Sequence, residues 1–261
     1  MQLSSGIAEA VIDLHRGGRL ASLQINGVEL LVTDKSGDTE WGCYPMAPWA
    51  GRVRDGEFKW SGSDYSLPAN AEPHALHGTV FSEPWRQTGP GSIICSLGDS
   101  WPWAGTVRSL FELKESEFVW RMEVHAERSP FPVVMGWHPW FRRKVHGGGE
   151  LSVSFGASKM YVRDSSGIPT GKCVPPSQGP WDDCFTSLTG SPLLEWSNGI
   201  QLKLSSTCDH WVVYSEPTHA VCIEPQSGPP DGFNLGKMQV AYPDQPICHT
   251  FRIGWTLKGE K

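Results

Sequence analysis

Short apolar–polar alternations, each broken by turn residues, run the length of the chain and predict strands rather than helices. The clearest pair covers 107–113 and 118–125. In the second run Phe118, Trp120, Met122 and Val124 alternate with Val119, Arg121, Glu123 and His125, a period of two. An opening strand is expected over 6–14. The next, over 19–25, runs into Asn26-Gly27, a pair suited to a tight hairpin turn, and a return is expected over 28–32. A second hairpin is expected where 57–60 and 65–67 flank Ser61-Gly62-Ser63-Asp64. Further strands are expected over 150–155, 159–162, 200–204, 211–215, 220–224 and 250–257. No stretch keeps a helical period over ten residues, and no internal repeat is visible. The 29 glycines and 21 prolines are spread along the chain instead of marking a linker. The pattern predicts an all-β chain, one antiparallel β-sandwich or barrel spanning 1–261 as a single domain.

Composition narrows the partners. Of 261 residues, 39% are hydrophobic and 19% charged, which suits a globular chain with a sizeable core. The balance of 22 basic and 28 acidic residues, with no basic cluster, argues against a nucleic-acid or anionic-membrane partner. Thirteen tryptophans can serve packing, but their flat faces also suit sugar rings. The seven cysteines, at 43, 95, 173, 184, 208, 222 and 248, are odd in number and form no C-x-x-C pair, which predicts scattered reduced thiols. With no leader-like start and no stretch of transmembrane length, the expected compartment is the cytoplasm.

Chemistry concentrates in five segments. Val221-Cys222-Ile223-Glu224 ends an apolar run on a carboxylate, followed by Pro225-Gln226-Ser227-Gly228-Pro229-Pro230-Asp231. A charge at the end of a buried strand needs a partner, a ligand or a raised pKa; a structural brace for the proline loop is the alternative. Pro48-Trp49-Ala50-Gly51-Arg52 places an Arg in a constrained loop, as a brace or as a ligand contact. His74-Ala75-Leu76-His77-Gly78 invites a metal reading. On a strand or loop, however, positions three apart diverge, so hydrogen-bonding or structural histidines are the stronger readings. Trp137-His138-Pro139-Trp140 sets an imidazole in an aromatic wall that lowers its pKa, as a site or as one polar member of a core cluster. Asp182-Asp183 reads as a polar turn, a hard-cation site or a pair of hydroxyl acceptors. There is no G-x-S-x-G elbow, Walker loop, dinucleotide fingerprint or H-E-x-x-H.

Taken in order, Pro48-Trp49-Ala50-Gly51-Arg52-Val53 with Gly56 and Phe58, His77-Gly78, His138-Pro139-Trp140-Phe141, Asp182 to Phe185, and Glu224-Pro225-Gln226 with Pro229-Pro230-Asp231 resemble the aldose 1-epimerase (galactose mutarotase) family. The resemblance spans about residues 42 to 235. It departs at Gly51, where the family more often has Asn, at Trp137 (His) and at Trp140 (Tyr). What it implies is a large antiparallel β-sandwich with a carbohydrate cleft. Glu224 is implied as the general base on the C1 hydroxyl and His138 as the general acid on the ring oxygen. Arg52, His77 and Asp182, rather than Asp183, are implied to bind sugar hydroxyls, with Gln226 beside them. Trp140, with Trp49 and Trp137, is a candidate for stacking on the sugar. The implied partner is a small-molecule sugar, and neither metal nor cofactor is implied. A hexose-6-phosphate 1-epimerase and a non-catalytic carbohydrate-binding protein are the alternatives. The first would need cations beyond Arg52, Arg54 and the Arg142-Arg143-Lys144 run, which reads as a solvated turn.

Overall fold

Turn chemistry sets the hairpins. Asn26 and Gly27 both take positive φ (51° and 74°), as do Ser61 and Gly62 (49° and 82°), the conformation a two-residue hairpin loop requires. Ser63 and Asp64 therefore already belong to the returning strand, Ser63–Ser66. The strands these turns launch are those of a computed structural model that describes residues 1–33 and 37–258.

Two large sheets account for most of the strand residues, and every strand pairing within them is antiparallel. The first runs in the order Gln2–Ser5, Ala8–Asp13, Arg19–Ile25, Cys43–Met46, Gly136–Arg142, Ala220–Gln226, His210–Tyr214, Asp182–Leu188, Ala157–Arg163, Pro169–Val174. The second runs Arg86–Gly89, Ser92–Ser96, Gly105–Leu113, Glu117–Ala126, Ile247–Leu257, Ile200–Ser206, Leu193–Glu195, Ser152–Ser154. The alternating pair at 105–113 and 117–126 matches residue for residue, from Gly105 opposite Ala126 to Leu113 opposite Phe118. Inward aromatics lock the sheets face to face: Trp137 of the first lies 6.2 Å from Trp120 and 5.8 Å from Phe251 of the second, between ring centroids. One continuous hydrophobic cluster joins them. The architecture is an all-β antiparallel sandwich.

Several strands depart from the alternation pattern. Cys43–Met46 and Gly136–Arg142 are buried on both faces, so they show no polar alternation to read. The expected return over 28–32 shortens to Val28–Glu29, and that over 150–155 to Ser152–Ser154. Asp182-Asp183 is no turn; it opens the strand Asp182–Leu188. The strand at 220–224 continues through Pro225 to Gln226. Among the described residues there is no α-helix, and no helix long and apolar enough to cross a membrane.

Candidate active site

The central strands of the first sheet carry the site on the face turned away from the second sheet. On Gly136–Arg142 the alternation sends Trp137 and Phe141 into the core and His138 and Trp140 into a cleft. On Ala220–Gln226 it sends Val221 and Ile223 inward, and Glu224 and Gln226 to the same cleft. The pairings Gly136–Gln226 and Trp140–Cys222 place His138 directly across from Glu224. Pro139 and Pro225 occupy the interval between those pairings and supply no N–H to the ladder there.

His138 Nε2 and Glu224 Oε1 are 3.3 Å apart, and both side chains are almost fully buried. Gln226 Nε2 donates to Glu224 Oε2 at 3.2 Å, which leaves Oε1 to the imidazole. Two rings stack on the imidazole: Tyr44 at 4.7 Å between centroids with planes 24° apart, and Trp140 at 5.4 Å with planes 9° apart. Behind Tyr44, the wholly buried Arg19 guanidinium lies 5.2 Å from the phenol ring and donates to the carbonyls of Arg16, Asp38, Trp41 and Phe81. Burial, reinforced by the negative charge of Asp182, pushes Glu224 well above the usual carboxylate range, against the Gln226 hydrogen bond and Arg52. Burial, reinforced by His77 and Arg19, holds His138 well below the usual imidazole range. Both shifts favour the uncharged pair, with one proton held between carboxyl and imidazole.

The remaining expected residues surround this pair. Three loops bring them in and are tied together by backbone bonds: Thr79 N–H to Ala47 O, His77 N–H to Gly51 O and Asp231 N–H to Arg52 O. Gly78 (φ 82°) permits the first, since a Cβ there would lie 2.0 Å from Ala47 O. Gly51 (φ 70°) packs on Pro230, 2.6 Å from where its own Cβ would be, so the Asn more common at this position would collide with the proline loop. His77 Nδ1 accepts the Gly51 N–H at 3.2 Å, which assigns its proton to Nε2 and makes it a donor. Burial, with Arg52 nearby, lowers the His77 pKa to about 3, so the ring is neutral. Arg52 lines the cleft, and among the described residues its guanidinium makes no hydrogen bond or ion pair. Arg54 is instead committed to Asp164 and Asp231. Asp182 and Asp183 both reach the cleft and share Arg163, at 3.0 Å and 2.8 Å. The cleft encloses about 260 Å³ and holds Glu224, His138, Arg52, His77, Asp182, Trp140 and Gln226 together.

Other expectations are corrected. Trp137 is a core residue and Trp49 lines a different cavity, so of the three candidate stacking tryptophans only Trp140 meets the cleft. His74 is turned away to accept the Asp55 N–H, and His77 is held by Gly51, so these two do not converge with His138 on a metal. Arg142 and Arg143 form no solvated turn: they donate to Leu31 O and Thr33 Oγ1, and to the carbonyls of Ser215, Pro217 and Ala220. Tyr44, Arg163 and Arg19 escaped the sequence reading. No motif surrounds them, and only strand register brings them to the site.

Comparison with known proteins agrees with this architecture. The family model described as aldose 1-epimerase matches residues 2–190, most of the chain. The chain belongs to the aldose 1-epimerase family. Glu224 and Gln226 fall beyond the matched span, and there the likeness is structural. This aldose 1-epimerase family member superposes on a galactose mutarotase-like protein from Clostridium acetobutylicum with a TM-score of 0.85 at 16% identity, covering 98% of this chain and 94% of that one. For the GalM/aldose epimerase homologue from C. elegans the TM-score is 0.83 at 16% identity, with 99% of each chain covered. For the galactose 1-epimerase of Lactobacillus acidophilus it is 0.80 at 15% identity, covering 99% and 94%. In sequence, the uncharacterized protein YphB of Escherichia coli is 32% identical over 111 residues; the match covers 40% of this chain and 38% of that protein.

Proposed function

We propose that the protein interconverts the α and β anomers of a free aldose, with Glu224 and His138 exchanging protons with the sugar. The observation that carries this reading is the 3.3 Å contact between a buried carboxyl and a buried imidazole at the floor of a monosaccharide-sized cleft. A cyclic aldose bears two oxygens on its anomeric carbon, the C1 hydroxyl and the ring oxygen, and two adjacent proton-transfer groups can address both. The step starts from the tautomer with Glu224 ionised and His138 protonated. The carboxylate takes the C1 hydroxyl proton while the imidazolium gives its proton to the ring oxygen. The C1–O5 bond breaks, and the C1 oxygen becomes the aldehyde carbonyl. This leaves Glu224 protonated and His138 neutral, the uncharged pair that burial favours, so the pKa shifts act in the direction of ring opening. Rotation about C1–C2 and closure by the reverse transfers deliver the other anomer. The His77 Nε2–H and the Arg52 guanidinium would donate to sugar hydroxyls, and the Asp182 carboxylate would accept from one.

A free sugar is favoured over a sugar phosphate by charge. Apart from the uncharged Glu224–His138 pair, Glu40, Asp182, Asp183 and Glu216 line the cleft against two cations, Arg52 and Arg163, and the second is already shared by two carboxylates. A dianionic phosphate would meet a net negative wall.

The test is the decay of optical rotation of freshly dissolved α-galactose and α-glucose, with glucose 6-phosphate for contrast. Acceleration over buffer is expected for the free sugars. Glu224→Gln and His138→Asn are each expected to lose about 10²–10⁴-fold of it. Rates equal to buffer for every sugar tried, with sugar binding intact by calorimetry, would instead make this a carbohydrate-binding protein.

A further inference from the structure

Cys222 has no part in the anomer exchange, yet it shares the face of its strand with Glu224, two residues away, and is wholly buried. The donor atoms of His138, Cys222 and Glu224 all lie within 4.8 Å of one another. Register produces this cluster: Cys222 is paired with Trp140, and Glu224 faces His138 on the same two strands. Imidazole, thiol and carboxylate hung from the interior of a sheet form a set that surface acidic clusters do not supply.

We propose that His138, Cys222 and Glu224 bind a soft divalent cation of the Zn²⁺ class, and that the cation stops the enzyme by taking the place of the proton the carboxyl–imidazole pair shares, that proton and the Cys222 thiol proton both leaving to solvent as the ion binds. The inhibitory half of this inference rests on the proposed function, whereas the binding half does not. Zinc accepts nitrogen, sulfur and oxygen ligands at about 2.0–2.3 Å, and three protein ligands with an open fourth position is a common arrangement. Tetrahedral donors at those bond lengths stand about 3.5 Å apart, so the trio needs only small side-chain rotations to close on an ion. The thiolate and imidazole select against Mg²⁺ and Ca²⁺, which require a shell of oxygens. Gln226 orients the carboxylate through its other oxygen, the outer support that metal-binding carboxylates ordinarily have. The cleft gives access, because Glu224 and His138 line it. Bound there, the cation would block both proton transfers and occupy the place of the anomeric oxygens.

The experiment uses the full chain with the more accessible thiols removed by Cys173→Ser and Cys248→Ser. Co²⁺ is titrated in while the near-ultraviolet thiolate-to-cobalt band is followed, and mutarotation is assayed with and without Zn²⁺. One Co²⁺ per chain is expected, with a thiolate band that Zn²⁺ displaces. Zn²⁺ should lower mutarotation by on the order of tenfold or more, with recovery on chelation and no effect of Mg²⁺ or Ca²⁺. Cys222→Ala should keep metal-free mutarotation, lose the band and shift the Zn²⁺ response by on the order of tenfold or more. Cys222→Ser, nearly isosteric, serves if the alanine variant does not fold. Absence of the band, or a Zn²⁺ response equal in the Cys222 variant, would overturn the site. A chain that shows the band but accelerates no sugar would remove the proposed function and leave the metal site standing.

Discussion

His77 carries a consequence for stability that its position in the cleft conceals. Its imidazole is buried and neutral with a pKa of about 3, whereas an unfolded chain protonates the same ring near 6.5. Between those values the unfolded state binds a proton that the folded state refuses. Stability is therefore whole above about pH 6.5 and is lost progressively as pH falls toward 3, at about 1.4 kcal/mol per pH unit for this one group. His77→Gln should flatten that slope by about one proton in urea unfolding measured across the window; an unchanged slope would show that His77 is not held neutral. Gly51 is the other residue with a separable effect. Gly51→Ala forces a Cβ against Pro230 at positive φ, and we expect a loss of about 1–3 kcal/mol, read as a lowered urea midpoint at constant m. The residues that gather at the cleft were legible because side chains of the types that transfer protons and bind hydroxyls stand in Pro/Gly-bounded motifs. Arg19, Tyr44 and Arg163 were not, because their contacts at the site are made across strands far apart in sequence.

At the scale of the strand, Gly136–Arg142 shows why some elements were visible and others were not. The 117–126 strand could be read from its alternation because one of its faces is partly exposed. Gly136–Arg142 has a core on one face and the floor of a cleft on the other, and it is buried on both, so apolar side chains stand at nearly every position. That distinction predicts different outcomes for two neighbouring tryptophans. Trp137→His puts the family's commoner residue into the layer formed with Trp120 and Phe251, and should cost about 3–5 kcal/mol by thermal unfolding, with per-molecule activity retained while folded. Trp140→Tyr, also toward the commoner residue, keeps a ring over His138 and should leave stability within about 1.5 kcal/mol, changing sugar preference in the rotation assay instead. The aspartate pair makes a similar point. Asp182-Asp183 has the composition of a turn, yet Arg163 on the neighbouring strand pairs with both carboxylates and lets the segment extend.

For the molecule as a whole, the continuous cluster between the sheets predicts a single cooperative unfolding transition, with calorimetric and van't Hoff enthalpies in agreement. Two resolved transitions would mark two units and end the single-domain reading. Sandwich architecture was legible from strand spacing and turn residues, and the order of the sheets was not, since the long crossovers that place Ala220–Gln226 beside Gly136–Arg142 leave no local signal. One feature of the site reaches beyond the protein to its medium. The imidazole is buried against Tyr44 and Trp140 with Glu224 beside it, and under the proposed reaction each turnover returns the proton it borrows. Such a cycle draws nothing from dissolved acids or bases. The enzymatic rate at saturating sugar should stay constant as buffer concentration rises at fixed pH and ionic strength, while the spontaneous background climbs with it.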